Sequence, residues 1–192
     1  MALAQSVPRM TVDEFFAWGG GGHVGKLELV DGIVRAQTFA SGAHGTIQAA
    51  ITSLIRAHLR THSPGCRVGN EVGVIPIFDP IRNVRKPDVA VTCSPHTPGE
   101  RAFPKPVLIV EVLSPSNAEE TWESIRACAS IPTVAEILVV DSERVHAEVY
   151  VKDDKGNWPD PGEVAGSGGM IRLPRLGLEM PMDEIYAGLR FE

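Results

Sequence analysis

The chain has 192 residues, and its 24 Asp and Glu against 18 Lys and Arg give a formal net charge of −6 at pH 7. This length suits a single compact domain over residues 1–192 and leaves little room for a second domain. The negative charge argues against a protein that binds nucleic acid through its overall charge, although it allows a local basic surface. We expect residues 1–9 to form a loose tail.

The three cysteines, Cys66, Cys93 and Cys128, are odd in number and far apart in the chain. This pattern supports neither a disulfide framework nor a Cys-x-x-Cys zinc site, and it favours a reducing compartment. The N-terminus lacks a signal-peptide pattern, and the longest apolar run is far shorter than the roughly 20 residues that span a membrane. We therefore expect a soluble cytoplasmic protein without a membrane partner.

Two helices are predicted in the first third of the chain. Thr11 and Glu14 have the spacing of a capping box, which predicts a short helix that starts after Thr11. From residue 45 to residue 62 apolar residues recur at helical spacing, which predicts the main helix. His58 and His62 stand four apart on it, but Leu59 occupies the place of the glutamate in a His-Glu-x-x-His zinc motif. We interpret these histidines as solvated.

A β-hairpin is predicted between the two helices. The segment 26–34 has two apolar arms joined by Asp31-Gly32, a strong hairpin signal. Glu28 lies inside the first arm, and strand alternation places it on the face opposite Leu27 and Leu29. From the alternation alone, Glu28 either points to water or belongs to a functional site.

Two acidic residues stand next to or inside buried strands. Val107–Leu113 is almost continuously apolar, as in a strand that is covered on both faces, and Glu111 interrupts it. Asp88 opens the preceding candidate strand, so the two carboxylates converge if the strands pair. Converging carboxylates suit a hard cation such as Mg²⁺ or Mn²⁺, which activates water and neutralises phosphate charge. The alternative is a buried acid paired with Arg85 or Lys86.

A basic turn directly precedes Asp88. It contains Arg82, Arg85 and Lys86. These residues form either a solvated loop or a set of phosphate contacts beside the candidate metal site. Both alternatives remain open at the level of sequence.

The remaining elements complete an α/β pattern. We predict strands at Cys66–Ile77, Glu136–Asp141 and Val145–Val151, the last two forming a hairpin. A helix is predicted over Asn117–Ser130, with Asn117 as its N-cap, and a terminal helix begins near Met182. Strands in the middle of the chain, with a helix before and after Asp88 and Glu111, predict an α/β (α+β) fold with a mixed central sheet flanked by helices.

A series of short motifs in a fixed order resembles a known family. The motifs are Met10-Thr-Val-Asp-Glu-Phe15, Leu27-Glu-Leu-Val-Asp-Gly32, Ala43-His-Gly45, Lys86-Pro-Asp-Val-Ala90, Val110-Glu-Val-Leu-Ser-Pro-Ser116, and the later Ile131-Pro-Thr-Val-Ala-Glu136 with Leu138-Val-Val-Asp141. They are similar to those of the Uma-type endonuclease family, a bacterial group with the restriction-endonuclease-like PD-(D/E)xK fold. Each motif is weak alone, but the ordered series covers most of the chain.

The resemblance implies a catalytic site and a chemistry. It maps the acidic site onto Glu28, Asp88 and Glu111, with Asp88 and Glu111 binding Mg²⁺ or Mn²⁺. The implied activity is metal-dependent hydrolysis of DNA phosphodiester bonds. A homodimer is the expected assembly, since enzymes that cut both strands are commonly dimers.

One feature departs from the family pattern. The lysine of the PD-(D/E)xK signature falls at Leu113, and the alternative lysine that relatives carry in the following helix falls at Ser124. Arg126 lies about 200° further round that helix, and Lys86 reaches the site only if its side chain turns inward. The resemblance therefore implies either an impaired nuclease or a non-catalytic module that binds nucleic acid or protein. A structural protein whose acids stabilise the fold is the third alternative.

Overall fold

The computed structural model describes residues 9–23, 25–37 and 40–191, so residues 1–8 of the expected tail lie outside it. In this part of the chain the helices are α1 (Val12–Trp18), α2 (Gly42–His62), α3 (Ala118–Ala129) and α4 (Met182–Ile185). The strands are β1 (Leu27–Val30), β2 (Ile33–Ala36), β3 (Arg67–Asn70), β4 (Val89–Thr92), β5 (Pro106–Leu113), β6 (Glu136–Asp141), β7 (His146–Val151), β8 (Glu163–Gly166), β9 (Met170–Leu173) and β10 (Leu178–Pro181).

Six strands form a mixed central sheet in the order β3-β4-β5-β6-β7-β8. The neighbours β5 and β6 are parallel, and the other neighbouring pairs are antiparallel. The parallel pair requires a crossover, which α3 supplies between β5 and β6. Two separate hairpins, β1-β2 and β9-β10, complete the described strands. The predicted mixed sheet flanked by helices is therefore confirmed.

The strand β5 is buried on both faces of the sheet. Leu108, Val110 and Val112 belong to the core cluster that includes α2 and the C-terminal hairpin. Ile109 belongs to the cluster on the opposite face, where α3 packs. Burial of both faces explains why β5 is apolar at nearly every position. Glu111 shares the face of Ile109, because alternate side chains of a strand point the same way.

The long helix α2 packs one side against the sheet. Its buried residues follow helical spacing: His44, Ile47, Ile51, Ile55 and Leu59. Burying each large aliphatic side chain stabilises the fold by about 1.5–3 kcal/mol. The rest of α2 is exposed or only partly buried. None of the described helices is long and apolar enough to cross a membrane.

The β1-β2 hairpin is attached beside the central sheet. Leu29 and Val84 exchange both backbone hydrogen bonds, at 3.0 and 2.9 Å. Asp31 turns the hairpin with a φ of 50°, a conformation that aspartate tolerates better than most residues. This attachment holds the arm that contains Glu28 against the segment leading to Asp88. The predicted hairpin, and the capping box of α1, are both confirmed.

The structure corrects the predicted strand at Cys66–Ile77. The strand β3 ends at Asn70, because Glu71 has a φ of 49° and a left-handed residue interrupts an extended strand. Beyond it, Val74 makes an isolated bridge with Arg85. The segment 66–77 therefore contributes one short edge strand to the sheet.

Two further details differ from the sequence predictions. Asn117 occupies the N-cap position of α3, but its side chain makes no capping hydrogen bond. A single 3-10 turn at Pro115–Asn117 precedes the helix and changes the backbone geometry at that position. The segment after Asn157, for which no strand was predicted, contains β8, β9 and β10.

Cys66 and Cys93 form a disulfide, so the expectation of no disulfide is wrong. The register of β3 and β4 pairs Arg67 with Thr92, which places the two cysteines opposite each other one position further along. Cys128 is free and buried. The number and spacing of cysteines contain no information on strand register, so they could not reveal this pairing.

Reduction of the disulfide is expected to lower the free energy of unfolding by about 3 kcal/mol. The bridge closes a loop with a sequence separation of 27, and it restricts the unfolded chain accordingly. Denaturant unfolding with and without a thiol reductant measures the effect. The double variant Cys66→Ser/Cys93→Ser is the control and should not respond to reductant. Equal stability of the oxidised parent and this variant would contradict the prediction.

Candidate active site

Asp88 and Glu111 lie opposite each other towards one end of the neighbouring strands β4 and β5. Asp88 directly precedes β4, and the antiparallel register that pairs Val89 with Val110 sets Asp88 opposite Glu111. The backbone N–H of Asp88 donates to Oε2 of Glu111 at 3.3 Å. Both side chains are buried. The predicted convergence of these two acids is therefore confirmed.

Three donors surround the carboxylate of Asp88. Oδ2 accepts from the backbone N–H of Val112 at 2.8 Å and lies 3.3 Å from Nε2 of His44. Oδ1 accepts from Nζ of Lys26 at 3.1 Å. Burial alone raises the pKa of Asp88, but the contact with His44 and the charge of Lys26 outweigh it, and the resulting pKa is about 2. Asp88 is therefore a stable anion.

Glu111 lies deeper, against α3. Its Oε1 accepts from the hydroxyl of Ser124 at 3.1 Å. Burial raises the pKa of Glu111 well above its usual range, and although the charge of Lys26 opposes this, the charges of Asp88 and Glu28 raise it further. The pKa values of these two neighbouring buried acids are therefore shifted in opposite directions. Asp88 is held as an anion, whereas the anion of Glu111 is disfavoured unless another cation approaches.

Glu28 completes the acidic cluster from β1. Only 4% of the residue is exposed, so the alternative in which it points to water is wrong. Its Oε1 accepts from the backbone N–H of Lys86 at 2.7 Å, and its Oε2 lies 3.8 Å from Nη1 of Arg85. The structure thus brings together all three acids that the sequence selected.

The basic residues of the turn before Asp88 lie in different environments. Arg82 is exposed, whereas Arg85 is 3% exposed and lies between Glu28 and Glu123, 3.5 Å from the latter. Arg85 is therefore an internal partner of the acids and not an open phosphate contact. Lys86 is half-buried, and its side chain lines a second cleft beside α1.

A cleft of about 640 Å³ opens over Asp88. The residues that line it are Gly25, Lys26, Gln37, Ala40, Ser41, His44, Glu71, Asp88, Ser114, Pro115, Asn117, Ser142 and Glu143. Glu28 faces a separate cleft of about 420 Å³, which also includes Gln37 and Asn117. The acid cluster therefore lies between two clefts. Asp88 lines the larger cleft, and Glu28 lines the smaller one.

Sequence reasoning missed Lys26 and His44. Lys26 stands two residues before Glu28, and strand alternation places residues two apart on one face, so the choice of Glu28 already pointed to Lys26. His44 continues the apolar stripe of α2 at its N-terminal end, which is the signal that it faces inward. Burial disfavours the charged form of Lys26, but Glu111, Asp88 and Glu28 outweigh this and raise its pKa, so Lys26 is an ammonium ion.

Of the two histidines predicted to be solvated, His62 is exposed, whereas His58 is half-buried and makes a contact with a distant part of the chain. Nε2 of His58 lies 2.9 Å from the carbonyl oxygen of Leu176, and the rings of His58 and His62 stack with centroids 4.3 Å apart. These contacts account for His58 and His62 without a metal.

The donor set at Asp88 and Glu111 fits a hard divalent cation. Carboxylate oxygens are the ligands that Mg²⁺ prefers, and Mg²⁺ is commonly held by only one or two carboxylates together with water and phosphate oxygens. Across the described residues, no group of three or more His, Cys, Asp and Glu side chains has the arrangement of a metal centre. An ion held by these two carboxylates would take its remaining ligands from substrate and solvent.

Comparisons with known proteins identify relatives over nearly the whole chain. A family model described as "Uma2: Putative restriction endonuclease" matches residues 12–182. The uncharacterized protein slr1290 of Synechocystis sp. is 32% identical over 186 residues, covering 96% of this chain and 95% of that protein. The crystal structure of a putative nuclease belonging to DUF820 from Anabaena variabilis matches with a TM-score of 0.71 at 17% identity, covering 93% of this chain and 98% of that one. The family match confirms the motif resemblance, and the structural match confirms the fold.

Proposed function

Because this chain belongs to the Uma2 family, we propose that it is an endonuclease that hydrolyses DNA phosphodiester bonds with Mg²⁺ or Mn²⁺. The observation that carries the proposal is the buried pair Asp88 and Glu111, in which the backbone N–H of Asp88 donates to the Glu111 carboxylate and Asp88 lines an open cleft. Asp88 and Glu111 would hold the cation. When bound, such a cation activates water and neutralises charge on the phosphate.

The reaction is a single displacement at phosphorus. The oxygen of a water molecule forms a bond to phosphorus while one bond from phosphorus to a sugar oxygen breaks. Water gives up a proton to solvent, and the leaving sugar oxygen takes the electron pair of the broken bond and a proton from solvent. The protein's task is to orient these groups and to stabilise the added negative charge on the phosphate.

His44 and the surrounding backbone act as positioning groups for Asp88. Nε2 of His44 and the N–H of Val112 fix one carboxylate oxygen, and Nε2 of Gln48 donates to the backbone carbonyl of Asp88 at 2.8 Å. Three contacts, including that of Lys26, therefore define one orientation of this side chain, and Gln48 holds its backbone. A fixed carboxylate needs no reorganisation when substrate arrives.

The cleft also suits a phosphate backbone in spite of the net charge of −6. The first turn of α2 borders it through Ser41 and His44, and the positive end of a helix dipole favours phosphate there. We propose Arg82 and Lys86 as further DNA contacts. Arg82 lies beside an exposed apolar loop, formed by Ile77, Phe78 and Ile81, which adds contact area.

We also propose a homodimer as the assembly that cuts both strands. Two copies related by a two-fold axis present two equivalent sites to the two antiparallel strands of a duplex. DNA cleaved in both strands, rather than only nicked, would fit this assembly.

The proposed activity is tested with supercoiled plasmid DNA and purified protein. Cleavage is expected in millimolar Mg²⁺ or Mn²⁺, and none is expected in EDTA, because the two carboxylates alone supply neither activated water nor charge neutralisation. Gel electrophoresis of the plasmid measures the result. A folded protein that leaves DNA intact with both metals would contradict the proposal.

A further inference from the structure

Lys26 places an ammonium group beside the acid pair. It is the residue directly before β1, and its side chain is 11% exposed. Nζ lies 3.1 Å from Oδ1 of Asp88, on the oxygen that neither His44 nor Val112 contacts. Among the described residues that line the 640 Å³ cleft, Lys26 is the single lysine or arginine. Any phosphate that approaches Asp88 therefore meets this ammonium group.

The hydrogen bonds of Lys26 leave it free to contact a second anion. An ammonium group has three N–H donors, and within the described residues one of them is paired with Asp88. The hairpin that carries Lys26 is fixed by the double hydrogen bond between Leu29 and Val84. Its position is therefore set by the fold before substrate binds.

We propose that Lys26 is the charge-stabilising residue of this nuclease and donates a hydrogen bond to a non-bridging oxygen of the scissile phosphate. This inference rests on the proposed function and names the ammonium group that neither Leu113 nor Ser124 supplies. No bond to Lys26 forms or breaks, and its protons remain on nitrogen. Its contribution is greatest when negative charge accumulates on the phosphate oxygens in the transition state.

Ser124 provides a way to test this role. Its hydroxyl contacts Oε1 of Glu111 from the α3 side, whereas Lys26 contacts Asp88 from the hairpin side. Both positions border the same pair of acids. A lysine introduced at position 124 would therefore bring an ammonium group to the same carboxylates from another element of the fold.

The expected result is a selective loss of cleavage in Lys26→Met. This substitution keeps much of the apolar stem and removes the charge, so kcat should fall by about 10²- to 10³-fold. The affinity for a short DNA duplex in EDTA, measured by fluorescence anisotropy, should fall much less, because Lys26 is only one of the contacts to the phosphate backbone. The exposed Lys155→Met is the matched control and should leave both values unchanged.

Rescue separates a chemical role from a purely structural one. The kcat of the double variant Lys26→Met/Ser124→Lys should be at least about tenfold higher than that of Lys26→Met. The Lys26→Arg variant should retain part of the parent's kcat because it keeps the charge. Thermal melting checks that each variant is folded. If Lys26→Met is unstable, the comparison of Lys26→Arg with the parent still tests the need for a compact ammonium group.

Two results would overturn the inference. Unchanged cleavage in Lys26→Met would show that Lys26 only pairs with Asp88, and increased cleavage would show that it competes with the cation. Failure of the proposed function gives a different result, since the parent would then not cleave DNA, or would cleave it independently of Asp88.

Discussion

Asp88→Asn is expected to reduce Mg²⁺-dependent cleavage of plasmid DNA by about 10²- to 10³-fold or more. The substitution preserves the shape of the side chain and removes the charge that would hold the cation. It should also abolish the rise in melting temperature that Mg²⁺ produces in the parent, because binding to the folded state is the source of that rise. Gel assays and thermal melts with a Mg²⁺ titration measure both effects.

The same substitution should lower the stability of the metal-free protein. The pKa of Asp88 is lowered to about 2, so its charged form stabilises the fold above the ordinary pKa of aspartate. Asparagine lacks this contribution, and we expect a loss of about 2 kcal/mol at pH 7. The loss should shrink as the pH falls from about 4 towards 2, because the parent then loses the same contribution.

Asp183→Asn is the matched control for these measurements. Asp183 is exposed in α4, far in sequence from the acid cluster, and its substitution should change neither cleavage nor the response to Mg²⁺. A variant at Asp88 that cuts as fast as the parent would show that the site is assigned to the wrong residue.

Glu111→Gln should abolish cleavage and yet stabilise the metal-free protein. Burial and the neighbouring acids raise the pKa of Glu111, so at neutral pH its charged form opposes folding. Glutamine can accept from the N–H of Asp88 and donate to the hydroxyl of Ser124, which preserves both contacts. We expect a gain of about 1 kcal/mol at pH 7 in EDTA.

The sign of the pH dependence distinguishes the two acids. A raised pKa means that the folded parent loses stability as the pH rises above the ordinary pKa of glutamate, so the advantage of Glu111→Gln should grow from pH 4 to neutral pH. Denaturant unfolding in EDTA across this range measures it, with the exposed Glu184→Gln as the control. If Glu111→Gln is less stable than the parent at pH 7, Glu111 is a satisfied structural anion and not a member of a repulsive acidic site.

The sequence determined the elements whose signals are local. The capping box of Thr11 and Glu14 requires only one turn of helix, and the Asp31-Gly32 turn requires only its two flanking arms. The continuous apolar run of β5 indicated a strand covered on both faces. Each of these signals depends on a few neighbouring residues, so the sequence alone reveals it.

The acids of the candidate site were also found from sequence, because two of them stand in or beside apolar strands. Glu111 interrupts an apolar strand, and burial of an unpaired carboxylate costs so much that such an interruption indicates a partner. Asp88 was found because it opens the neighbouring strand, and Glu28 was added from the family resemblance. The structure brings the three together, as the pairing of β4 with β5 and the attachment of the hairpin require.

Only the tertiary structure decided what surrounds these acids. Lys26, His44 and Ser124 come from a hairpin, a helix before the sheet and a helix after β5, so their distances from the acids depend on how these elements pack. The burial of Arg85 and the pairing of Cys66 with Cys93 likewise depend on strand register. The sequence by itself therefore determined the elements, the fold class and the acidic residues. The position of the ammonium group and the opposite pKa shifts of Asp88 and Glu111 were decided by packing, because both depend on distances between residues that lie far apart in the chain.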